Sequence, residues 1–153
     1  MSHIRYYFAY GSNMNADRVA ERGLEVVNAV AGQLADYDLV FNKMSRDHVG
    51  VGHANIQFRR GAVTQGVLYE LAAVEEIFKM DPFERAPWNY GREVVQIGHD
   101  RGSTWAWTYF ANPAVIRPDL SPPLEYLDHL LAGREFLSRD YVDMLLAHRE
   151  RLV

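Results

Sequence analysis

The apolar positions of the chain switch between strand-like and helix-like spacing, and the switches mark out a series of short elements. Ile4 to Tyr10 is short and aromatic-rich and predicts a buried strand, which Gly11-Ser12-Asn13 breaks. A short helical pattern follows, with Met14, Val19 and Ala20 apolar among charged residues, and it stops at Gly23. Val26–Val30 and Tyr37–Phe41 read as strands, and the polar stretch 42–52 reads as a loop. His53–Phe58 and Ala62–Leu71 predict a strand pair joined by Arg59-Arg60-Gly61. Ala72–Met80 carries Val74, Ile77 and Phe78 at helical spacing, and Pro82 and Pro87 stop that helix from continuing.

A second strand pair, Arg92–Ile97 with Ser103–Phe110, surrounds His99-Asp100-Arg101-Gly102. After a proline-rich connector, Ser121 caps a predicted helix with Pro122 at its first position. That helix carries Leu124, Leu127, Leu130 and Leu131 and ends at Gly133. A last helix starts near Ser138 and carries Tyr141, Leu145 and Leu146. About seven strands among a few short helices predict an α+β fold with a small curled or closed mixed sheet, barrel-like, in one domain over 1–153. The irregular element order and few βαβ-length crossovers argue against a doubly wound sheet.

Composition narrows the chemistry. The chain has 153 residues, 48% of them hydrophobic, enough for a real core. Its net charge is −4 and no stretch is strongly basic, so neither nucleic acid nor an acidic membrane is an expected partner. There is no cysteine, which excludes disulfides and thiolate chemistry and suits a cytoplasmic protein. Neither a signal peptide at the N-terminus nor a membrane-spanning apolar run is read from the sequence.

Two constellations have chemical potential. At Tyr10-Gly11-Ser12-Asn13 a strand runs through glycine into a helix start, where unpaired N–H groups suit a carboxylate or an oxyanion. The same residues also fit an ordinary turn with Ser12 or Asn13 as N-cap. At Asp81-Pro82-Phe83-Glu84 the spacing is that of a capping box, and it equally places a carboxylate beside apolar Phe83 and Trp88, where its pKa would rise. The six histidines do not form a metal-ligand pattern, and serine-hydrolase, Walker A and dinucleotide fingerprints are missing.

Taken together, these elements resemble the γ-glutamylcyclotransferase family, with its γ-glutamylamine and AIG2-like relatives. Tyr7-Phe8-Ala9-Tyr10-Gly11-Ser12-Asn13-Met14 is similar to the family's signature loop. Gly66-Val67-Leu68-Tyr69-Glu70-Leu71 resembles the strand before its catalytic segment, and Met80-Asp81-Pro82-Phe83-Glu84 the segment itself. Tyr90-Gly91-Arg92-Glu93-Val94 resembles the strand that follows, and Ser121–Gly133 the later helix, with Tyr126 in the matching place.

The resemblance implies a reaction. The α-amine of a γ-glutamyl group attacks its own side-chain amide, 5-oxoproline forms, and an amine or amino acid leaves. It implies Glu84 as general acid/base and no cofactor or metal. It also implies a substrate site made of Tyr7, Tyr10, Gly11, Ser12, Asn13, Tyr109 and Tyr126. The expected partner is a small γ-glutamyl compound, and a homodimer is compatible with the family. The rim residues Arg46, Trp88 and Asn89 are candidates for choosing the leaving group. Two other readings stay open: a hydrolase in which Glu84 activates water on a γ-glutamyl amide, and a non-catalytic binding module on the same fold.

Overall fold

Strands β1 (Tyr6–Ala9), β2 (Val26–Met44), β3 (Gly52–Leu71), β4 (Tyr90–His99) and β5 (Gly102–Ala111) build the sheet. In this computed structural model, which describes residues 3–152, they close into a barrel in the order β1-β3-β2-β4-β5. Met1, Ser2 and Val153, part of the expected domain, lie outside the described residues. β1 runs antiparallel to β3, with Phe8 opposite Leu68. A parallel contact between Tyr7 and Trp107 of β5 completes the closure and makes the sheet mixed.

The barrel has five strands rather than about seven, because two long ones had each been read as two. Arg59-Arg60-Gly61 does not turn the chain back. It bulges out of β3 opposite Asp36, where the register of the β2–β3 ladder shifts. Asp36 and Gly61 both take positive φ, 66° and 85°, and the Gly61 N–H donates to Asp36 Oδ1 at 2.9 Å. A polar, glycine-ending stretch suits such a bulge as well as it suits a hairpin turn. His53–Phe58 therefore pairs with the second half of β2, and Ala62–Leu71 with the first half, instead of with each other. The expected loop also starts late, since β2 continues to Met44. The β4–β5 hairpin is as expected, with Gly98 opposite Ser103.

Helix α1 (Ala16–Glu21) starts at Asn15, whose side chain accepts from the Asp17 N–H. Helix α2 (Leu124–Leu131) begins later than expected, after Pro123 and without a side-chain cap. Ser121 instead gives its N–H to the Gly50 carbonyl and accepts from the Gly52 N–H, tying the connector to the loop before β3. Helix α3 (Arg139–Glu150) starts where expected, and the Ser138 side chain caps it by accepting from the Tyr141 N–H. The helix expected over Ala72–Met80 is a 3₁₀ segment, Val74–Lys79. Ile77 is buried there while Phe78 lies outside, under the Arg92 guanidinium at 5.1 Å.

Phe8, Leu68 and Ile97 are fully buried in the barrel strands, and Leu127, Leu130 and Leu145 in the two later helices. Each such side chain contributes about 1.5–3 kcal/mol of transfer free energy. No helix among the described residues is long and apolar enough to cross a membrane.

Candidate active site

Past β1 the chain turns at Gly11 into a 3₁₀ segment, Ser12–Met14, against which α2 packs. The approach there is close. A Cβ on Gly11 would lie 3.0 Å from Tyr126 Oη and 3.2 Å from Ala54 Cβ. A side chain here would force its neighbours to give way, which glycine avoids.

Glu84 comes from the turn after Val74–Lys79. Met80 is fully buried, and its carbonyl accepts from the N–H groups of Phe83 and Glu84 at 3.0 and 3.1 Å. The capping box suggested by the spacing does not form. The Asp81 carboxylate faces away from the turn and accepts from Arg92 Nε (2.9 Å), Arg92 Nη2 (3.0 Å) and Tyr109 Oη (2.6 Å). A bidentate guanidinium and a phenol are stronger partners for a carboxylate than a backbone N–H. Glu84 is thereby left to point inward.

Tyr7, Tyr10, Gly11, Ser12, Asn13, Glu84, Tyr109 and Tyr126 all line one cavity of about 40 Å³. Asn13 ties the two sequence segments together. Its Nδ2 donates to Glu84 Oε1 at 3.2 Å and to Tyr7 Oη at 2.9 Å, and its Oδ1 accepts from Arg22 Nη1 at 3.0 Å.

The phenols of the cavity divide into two sets. Tyr10 donates to the Tyr109 carbonyl (2.5 Å), Tyr90 to the Ala54 carbonyl (2.7 Å) and Tyr109 to Asp81. These protons are committed, so Tyr10 and Tyr109 offer the cavity mainly their rings. Tyr7 accepts from Asn13, and Tyr126 accepts from the Ala54 N–H at 3.1 Å. Neither of these two hydroxyls has an acceptor among the described residues. Burial keeps both protonated, pushing Tyr7 well above its usual pKa and Tyr126 up to about 12.

The Glu84 side chain is only 17% exposed. Burial raises its pKa above the usual 4.5, and Arg22, with Nη1 3.8 Å from Oε1, opposes the rise most, helped by Arg18, the Asn13 hydrogen bond and Lys43.

Outward of Glu84 the cleft widens to about 230 Å³. Of the expected rim residues, Arg46 and Asn89 line this outer chamber; Trp88 does not and is 76% exposed. Lys43, Arg18 and Arg22 line it too and were not anticipated. Lys43 lies in the last part of β2, just past a break in the β2–β3 register after Val40. Its place was hidden by ending the strand at Phe41.

Fold and cavity define a small barrel protein with a buried carboxylate set against a strand-to-helix turn. The chain belongs to the gamma-glutamyl cyclotransferase, AIG2-like family, whose sequence profile matches residues 7–130. Among solved structures it is similar to a gamma-glutamyl cyclotransferase (22% identity, TM-score 0.77, 93% of this chain and 86% of that one). It is also similar to an uncharacterised protein from Homo sapiens (22% identity, TM-score 0.80, 95% of this chain and 88% of that one). A third is a γ-glutamyl cyclotransferase specific to glutathione from yeast (14% identity, TM-score 0.67, 95% of each chain). At these identities the structural likeness shows the fold. Comparison with curated protein sequences gives no match.

Proposed function

We propose that the protein is a cyclotransferase that converts a γ-glutamyl amine or γ-glutamyl amino acid to 5-oxoproline and a free amine, with Glu84 as general acid/base. The observation that carries this reading is the shared cavity: the Glu84 carboxyl and the Tyr10–Asn13 turn face the same small space. Membership of the family supports the reaction type.

The bond changes balance within one molecule. The α-amine nitrogen attacks the side-chain amide carbon and a new C–N bond closes the lactam. The old C–N bond breaks, and the leaving amine takes up one proton. No water is consumed. Because nucleophile and electrophile are already joined, holding the chain in a folded shape supplies much of the rate.

Two proton transfers remain for the protein. The α-amine, formed once the ammonium has given a proton to solvent, must lose a further proton as it attacks, and the leaving nitrogen must gain that proton. A single carboxyl with a raised pKa, within reach of both nitrogens, performs both steps. The developing oxyanion requires donors, and the uncommitted hydroxyls of Tyr7 and Tyr126 are the side-chain donors nearest to hand.

The test is a panel of γ-glutamyl compounds followed by product analysis. Release of 5-oxoproline is expected. Release of free glutamate would mean hydrolysis, and binding without turnover would mean a ligand-binding module; either contradicts the proposal.

A further inference from the structure

The outer chamber is far more positive than the protein that contains it. Five cationic side chains line it, Arg18, Arg22, Lys43, Arg46 and Arg85, against two acids, Asp47 and Glu84. The chain as a whole carries −4.

These cations are not equivalent. Arg22 is accounted for by Asn13 and Glu84. Arg46 and Arg85 are exposed and well solvated. Lys43 is different: it is 6% exposed, yet no carboxylate lies within 4 Å of its ammonium and its side chain makes no hydrogen bond among the described residues. Its ammonium sits 5.7 Å from the centre of the Tyr90 ring. Arg18 Nε is likewise buried and without a hydrogen-bond partner.

Glu84 and Asp47 act on Lys43 only from beyond ion-pair distance, and a cation drawn partly out of water without a close counter-ion gains when an anion arrives beside it. Burial lowers the Lys43 pKa and Glu84 opposes the fall. The chamber meets the inner cavity at Ser12, Glu84, Tyr90 and Tyr126, so a group leaving Glu84 outward enters it.

We infer that Lys43, together with Arg18, forms a subsite for a carboxylate carried by the leaving amine, so that the preferred substrates are γ-glutamyl amino acids or peptides rather than γ-glutamyl derivatives of neutral or cationic amines. The inference rests on the cyclotransferase reading for what occupies the inner cavity. A carboxylate one or two bonds beyond the scissile nitrogen pairs with the ammonium and relieves its isolation. A polyamine end in the same place meets like charge.

The experiment compares kcat/KM for γ-glutamyl-alanine, γ-glutamyl-alaninamide and γ-glutamyl-putrescine, on the parent protein and on Lys43→Met and Lys43→Arg. These compounds share the glutamyl half and differ in charge at the leaving end. The parent is expected to prefer the alanine compound over its amide by on the order of tenfold, and over the putrescine compound by more. In Lys43→Met the alanine-to-amide ratio falls towards one; in Lys43→Arg the preference persists. Equal rates on the alanine compound and its amide would overturn the subsite while leaving the reaction intact. A uniform loss across all three compounds in Lys43→Met would assign the lysine to the glutamyl carboxylate and overturn it as well. If none of the compounds yields 5-oxoproline, the proposed function fails, and calorimetric binding of the same three compounds decides the subsite alone. A preference for the alanine compound that disappears in Lys43→Met upholds it, and equal or absent binding overturns it.

Discussion

Asn13 Nδ2 and Glu84 Oε1 lie 3.2 Å apart, although 71 positions separate them in the chain. This hydrogen bond joins the turn after β1 to the turn after Val74–Lys79, and through Asn13 Oδ1 it brings in Arg22 as well. The Glu84 carboxyl is therefore held by one neutral donor and one cation in an otherwise burying environment. Its protonation follows from the balance between them.

That balance predicts the pH behaviour. Burial raises the Glu84 pKa above 4.5 and Arg22 opposes this. Removing the cation in Arg22→Met raises the pKa further, so the acidic limb of kcat/KM moves to higher pH. The same shift appears for Glu84 in a carboxyl NMR titration. A limb that stays in place, or moves down, contradicts the electrostatic account.

Stability has a matching sign. A carboxyl whose folded pKa is raised holds its proton more tightly in the folded state. Its contribution is fully present below the unfolded value, near 4.5, and is lost as pH rises through the folded value. Denaturant titrations of the parent and of Glu84→Gln should therefore diverge above about pH 4.5, the glutamine variant becoming relatively more stable. Divergence in the opposite direction would mean that the ionised carboxylate stabilises the fold.

Tyr109 and Tyr7 should separate by readout. Tyr109 gives its proton to Asp81, so Tyr109→Phe is expected to cost about 1–3 kcal/mol of stability and to change kcat by less than about threefold. Tyr7 has an uncommitted proton at the cavity, so Tyr7→Phe is expected to lower kcat/KM by about tenfold or more. Denaturation curves beside initial rates check both. A large rate loss in Tyr109→Phe without a stability loss would give that hydroxyl to the substrate.

Gly11 leaves little room for a methyl group. Gly11→Ala places a Cβ 3.0 Å from Tyr126 Oη, so the phenol must shift by a few tenths of an ångström within the cavity. The expected result is a fall in kcat/KM of about tenfold or more, because small displacements of positioning groups are costly. A cost of about 1–3 kcal/mol in stability accompanies it. An unchanged kcat/KM would show that neither Gly11 nor Tyr126 shapes the bound substrate.

Much of this was legible in the sequence, and the misses have physical causes. The turn at Gly11-Ser12-Asn13 and the Glu84 segment stood out because strand-breaking glycine and proline punctuate them, and the resemblance joined the two. The β4–β5 hairpin was clear from its alternation. The lengths of β2 and β3 were not, since a bulge at Asp36 and Gly61 uses the residues a hairpin turn would use. Asp81 looked like a cap because spacing cannot show that Arg92, on the next strand, takes its carboxylate. Lys43 was hidden because its burial depends on β2 running further than its apolar run.

The most direct test of the central claim is 5-oxoproline release by Glu84→Gln. Glutamine keeps the shape of the side chain and leaves Asn13 a carbonyl oxygen to donate to, but it cannot shuttle a proton. With a γ-glutamyl substrate that the parent turns over, the variant should remain folded and lose turnover by a factor on the order of 10² or more. Undiminished release of 5-oxoproline by the folded variant would contradict the role assigned to Glu84.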